Sequence, residues 1–94
     1  MSVARITTVT FNTQEAADVA SASYVENSPS DFPEAQQLLG VKAEGNKLVA
    51  VTLYADQEAM ERASASRTKR MDLNKDLIDS VEGKTGDVIL NHKN

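Results

Sequence analysis

The sequence has no cysteine, no tryptophan and one histidine, and only four glycines and two prolines in 94 residues. Without cysteine there can be no disulfide, thiolate metal site, iron–sulfur cluster or cysteine nucleophile. A single histidine among scattered acids makes no metal site, and no H-E-x-x-H, EF-hand, P-loop or G-x-G-x-x-G pattern is present. Apolar runs are only a few residues long, so no membrane span is expected, and the polar start MSVARITT is unlike a signal peptide. A cytoplasmic protein is the resulting expectation. Net charge is -4, which argues against nucleic acid as the main partner.

What is present suits one domain spanning residues 1–94. Hydrophobic residues make up 40% and charged residues 26%, ordinary for a globular chain. A chain of this mass folds to an accessible area of ~5,300 Å² and buries roughly 64% of its extended surface, enough for one modest core.

Val3 to Phe11 (VARITTVTF) is rich in β-branched residues and predicts a strand. Asn12, with Glu15 three residues on, predicts a helix cap. The helix then runs from about Thr13 to about Asn27, with Ala16, Val19, Ala20, Ser23 and Tyr24 on one face, and is stopped by the prolines at 29 and 33. Leu38–Glu44 and Lys47–Ala55 flank Gly45-Asn46 and predict a hairpin with a type II′ turn. That turn would pair Glu44 with Lys47, Val41 with Ala50 and Leu39 with Thr52. Asp56 predicts the cap of a second helix, bent near Arg70 to Asp72 and carrying Met60, Ala63, Met71, Leu77, Ile78 and Val81. Gly83 and Gly86 bracket an exit turn before a last strand, Asp87 to Lys93. The order β-α-β-β-α-β predicts an α+β, ferredoxin-like fold: a four-stranded antiparallel sheet with both helices on one face.

The third strand, LVAVTLYA, lacks the alternation of a half-exposed strand. Val49, Val51 and Leu53 would face the helices, and Leu48, Ala50, Thr52 and Tyr54 the other side, with Leu39 and Val41. That second face would leave a large apolar patch in water. A second copy packed sheet to sheet is the simplest cover, and an interior cavity the natural ligand site.

The hairpin followed by VTLYADQEAMERA (Val51 to Ala63) resembles a segment of the antibiotic biosynthesis monooxygenase family, in which a strand ends in an aromatic residue before an acidic helix start. Element order, length and the glycine-rich turn before the last strand match the same family's dimeric α+β barrels. The resemblance implies cofactor-free oxygenation of a small aromatic or quinol-type compound in a cavity between sheet and helices. A branch of the family degrades haem, but its helix tryptophan and histidine fall at Ala63 and Leu73, so haem is not expected. Its strand-end asparagine corresponds to Asn12 and the strand-end aromatic to Tyr54.

On this reading Tyr54 hydrogen-bonds a phenolic substrate or its anion, unless its hydroxyl simply reaches water. Asn12 orients an enolate or carbonyl oxygen, or only caps the helix. His92, sharing a strand face with Val88 and Leu90, accepts the proton, or is an exposed residue near the terminus. Tyr24, Leu48, Ala50, Thr52, Arg67 and Met71 are the candidate ligand contacts. Arg62, Arg67, Lys69 and Arg70 form a basic cluster that either draws an anionic ligand to the cavity or is a solvated helix face, in which Glu58 and Arg62 stand at i, i+4; Arg67, on the inward stripe with Met60, Ala63 and Met71, is buried against a carboxylate or available to a ligand. No cofactor and no metal are expected. The alternative is a non-catalytic homodimer that binds a small molecule or a partner, favoured by the scarcity of titratable groups on the cavity face.

Overall fold

The computed structural model describes residues 2–94. Strand β1 (Val3–Phe11) lies between β3 (Lys47–Tyr54) and β4 (Ile78–Asp87), with β2 (Gln37–Ala43) outside β3. All pairings are antiparallel, in the order β2-β3-β1-β4. Helix α1 (Gln14–Asp31) follows β1, and the two short helices α2 (Gln57–Arg62) and α3 (Ser64–Leu73) follow β3. This is the ferredoxin-like arrangement.

The first helix departs from its predicted bounds at both ends. Thr13 caps it, its hydroxyl accepting from the Ala16 N–H at 3.0 Å, while Asn12 donates from Nδ2 to the Asp76 carbonyl at 3.0 Å. At the other end α1 runs through Pro29, against the local preference of the residue before proline. Tertiary packing holds that last turn: Phe32 is buried with Val3, Tyr54 and Met60, and its N–H donates to the Ser28 carbonyl at 2.9 Å. Ala16, Ala17 and Ala20 are buried beneath α1, where small side chains let the helix approach the sheet, and Val19 points to solvent. Asp56 caps α2 as predicted, accepting from the Ala59 N–H at 2.8 Å. The bend expected near Arg70 to Asp72 instead falls at Ala63, between α2 and α3.

The hairpin register is shifted by one residue from the predicted one. Ala43 pairs with Lys47, leaving Glu44, Gly45 and Asn46 as the loop, with Gly45 and Asn46 both at positive φ, 79° and 61°. A one-residue slip exchanges the faces of a strand. Leu39 and Val41 therefore stand opposite Val51 and Val49, on the side away from the helices. The helices cover the set formed by Leu48, Ala50, Thr52 and Tyr54, paired with Val9, Thr7, Arg5 and Val3, so the face assignment read from the sequence is reversed.

The last strand lies nearer the N-terminus than expected. Ile78 and Val81 belong to β4 rather than to a helix, Gly83 and Gly86 lie inside the strand, and Val88, Leu90 and His92 follow it. Thr10 pairs with Ser80 and Phe11 with Ile78, so Asp79 is an extra residue. That bulge keeps Ile78 and Val81, three apart, on the same side of the sheet. No helix among the described residues is long and apolar enough to cross a membrane.

Candidate functional site

Between the helices and the sheet lies a cavity of about 70 Å³. Its floor comes from alternate residues of the two central strands, and its roof from Ala20 and Tyr24 of α1 and from Arg67, Arg70 and Met71 of α3. The period of two in β1 puts Arg5 and Thr7 on the inner face; the turn of α3 brings Ser64 and Arg67 above them. Arg5 Nη2 donates to Ser64 Oγ at 3.4 Å, and Arg67 Nη2 lies 3.5 Å from Thr7 Oγ1. Two glycines make room. A β-carbon at Gly40 would lie 2.9 Å from the Tyr24 ring, and one at Gly83 would lie 3.3 Å from Arg67 Nη2.

The walls are apolar, with Val9, Phe11, Phe32, Leu48, Met71 and Ile78, and the polar groups among them include cations but no anion. Three arginines, two tyrosines, two threonines and one asparagine line the cavity; no carboxylate and no imidazole does. Arg70 is neutralised by Asp31 at 3.0 Å and rests 5.6 Å from the centroid of the Tyr24 ring. Arg62 is held outside by Glu34, in a forked pair with contacts of 2.7 and 2.9 Å, rather than by Glu58, and Lys42 pairs with Asp18. Among the described residues no carboxylate pairs with Arg5 or Arg67. Arg67 Nε is buried without a hydrogen-bond partner.

Burial pushes the guanidinium pKa of Arg67 down, and the like charge of Arg5 acts in the same direction. Tyr54 is 1% exposed, and burial raises its pKa, partly offset by Arg5 and Arg67. The Tyr24 hydroxyl is likewise raised by burial, with the nearby Thr52, Arg70 and Ser28 opposing. The site is thus a small apolar chamber that presents N–H and O–H donors and positive charge.

Tyr24, Leu48, Ala50, Thr52, Tyr54, Arg67 and Met71 all line this one cavity. Asn12 and His92 do not. Asn12 ties the end of β1 to the α3–β4 connection, its N–H donating to the Leu77 carbonyl at 2.9 Å, and His92 is exposed beyond β4. Sequence reasoning missed Arg5, Thr7 and Asn74, and it placed Arg70 on a solvated face, whereas that side chain is 11% exposed and lines the cavity, held there by Asp31. Arg5 and Thr7 carried a usable signal: they alternate with Val3, Val9 and Phe11 in one strand. Asn74, just past α3, carried none.

Among the described residues no histidine lines the cavity, and Leu73 is exposed. Among the described residues no group of three or more acidic, histidine or cysteine side chains could hold a metal.

A ferredoxin-like domain with a donor-lined cavity under its helices is the class that fold and site define. Neither a protein-family model nor a curated protein sequence matches the chain. Solved structures do. A Chloroflexus aurantiacus protein, named provisionally as an antibiotic biosynthesis monooxygenase, superposes with a TM-score of 0.80 at 14% identity over 99% of this chain and 98% of that one. A dimeric ferredoxin-like protein from an uncultured marine organism gives 0.78 at 11% identity, covering 99% and 92%. SnoaB, a cofactor-independent oxygenase from Streptomyces nogalater, gives 0.72 at 14% identity, covering 96% and 95%. Likeness at these identities establishes the shared fold.

Proposed function

We propose that the cavity takes a small aromatic or enolic compound and that the chain is a cofactor-independent monooxygenase of the antibiotic biosynthesis type. The observation that carries this reading is the lining: apolar walls, with the donor groups of Tyr54, Arg5 and Arg67 on the same cavity. The structural likeness to SnoaB, a cofactor-independent oxygenase, supports it. In such a reaction an activated ring CH₂ becomes C=O. One atom of dioxygen enters the product and the other leaves as water with the two hydrogens, so the substrate supplies all four electrons. The guanidinium charges favour the ionised substrate, which is the form that gives electrons to dioxygen, and Tyr54 donates a hydrogen bond to its oxygen. Oxygen consumption with a panel of anthrones, which carry such a CH₂, tests the proposal. Turnover is expected, lowered about 100- to 1,000-fold by Tyr54→Phe, the range of losing one oxyanion donor; no uptake across the panel would remove the oxygenase reading.

The absence of any carboxylate or imidazole from the lining favours a second reading, a binding protein without catalysis. Saturable binding of the same compounds without uptake would select it.

For the assembly we propose a homodimer through the sheet face opposite the helices. Ile6, Leu39 and Val41 are 45%, 49% and 47% exposed there, beside Val49 and Val51. The isolated chain exposes 6183 Å², against the ~5,300 Å² expected of a compact chain of its mass. A second copy covering that face would complete the α+β barrel that the resemblance implies, and the marine structural neighbour is itself described as dimeric.

A further inference from the structure

We infer that the cavity is an oxyanion site whose ligand brings the missing negative charge, a carboxylate or an ionised phenol on an apolar body, to the guanidiniums of Arg67 and Arg5. The inference rests on reading the cavity as a ligand site, and it does not require oxygenation. Four ion pairs are formed among the described residues, and they use Arg62, Arg70 and two lysines while leaving these two arginines out. Both sit on the cavity, in a protein whose net charge is -4. Acidic side chains are plentiful, yet none lines the cavity.

Even a half-buried arginine such as Arg67, with its Nε out of water and no counter-charge, carries a desolvation cost that a folded chain ordinarily lowers by pairing. Here the opposite has been built. Arg67 Nη2 is steadied only by the long contact to Thr7, Nε has no partner, and the residue facing Nη2 from β4 is Gly83, which leaves the guanidinium room. A planar anion with two oxygens matches the fork of free N–H groups on a guanidinium. Phe11, Met71 and Ile78 then offer the apolar wall for the rest of the molecule. The cavity, at about 70 Å³, is smaller than the ~150 Å³ that admits benzene in an engineered core. A one-ring acid therefore needs the lining side chains to give way.

The test is a nuclear magnetic resonance titration of the full chain with benzoate, its neutral isostere benzamide, and 4-nitrophenol on either side of its ionisation. Benzoate or the nitrophenolate should saturate, moving the amides of Thr7 and Gly83 and the side-chain Nε–H of Arg67. Benzamide and neutral nitrophenol should bind at least about tenfold more weakly, and comparing the two anions tells a carboxylate preference from a phenolate one. Arg67→Gln should abolish the preference for the anion and raise the melting temperature of the ligand-free protein, because it removes an uncompensated charge; a merely structural arginine would lower it. Equal binding of benzamide and benzoate, no saturable binding of either anion, or an unmoved Arg67 Nε–H in the native protein would each overturn the inference. Anion binding without oxygen uptake would leave it standing while removing the oxygenase reading. Oxygen uptake that Tyr54→Phe lowers, in a protein that binds benzamide as well as benzoate, would do the reverse.

Discussion

Tyr24 and Tyr54 are the two tyrosines of a chain without tryptophan, so the tyrosinate absorbance reports the cavity directly. Burial raises both hydroxyls above the usual value of about 10. A raised folded-state pKa means that the stabilisation is fully present below that usual value and is lost as pH climbs through the folded one. The native titration should therefore lie above that of a free tyrosine, with the melting temperature falling over the same alkaline range, and Tyr54→Phe should flatten part of that fall. Titration of both tyrosines at the ordinary value would show the cavity to be wetter than described. Gly40→Ala is a second probe. Its methyl carbon would meet the Tyr24 ring at 2.9 Å, so the ring or the strand must shift, with an expected loss of about 1–3 kcal/mol in chemical denaturation.

At the scale of elements, the caps are separable from the core. Thr13→Ala and Asp56→Ala each remove one side-chain acceptor from a helix start and should cost about 1 kcal/mol apiece in urea melts, with the fold retained. The elements also show how far the sequence could be read. β1 was legible to the residue because β-branched side chains fill it and a polar pair ends it. β4 was not: Leu77, Ile78 and Val81 have helical spacing, and SVEGKTGD shows no alternation because the strand lies at the sheet edge, where pairing with β1 rather than burial decides its place. The run Val88 to Leu90 imitates a strand, yet Ile89 is 97% exposed. The hairpin was found but misregistered, since Gly45-Asn46 suits both a two-residue turn and the three-residue loop present, and that single residue reversed the faces. All six expected ligand contacts line the cavity even so, because Leu48, Ala50, Thr52 and Tyr54 were grouped by strand period alone. What they face was not legible.

For the whole molecule, the reversed faces give a paired prediction. Leu48 packs with Val9, Phe11 and the alanines of α1, so Leu48→Asp buries an unpaired charge and should unfold the chain by circular dichroism. Val41→Asp, on the open face, should remain folded and run as a monomer in light scattering, where the native chain holds about twice its mass on dilution to about micromolar. A native monomer would remove the proposed interface. The open face has one more consequence, for thermodynamics. If two chains share it, part of the free energy of folding is supplied by mass action, so the melting temperature rises with protein concentration and falls on dilution. A stability quoted for this protein without its concentration would then describe the sample as much as the sequence.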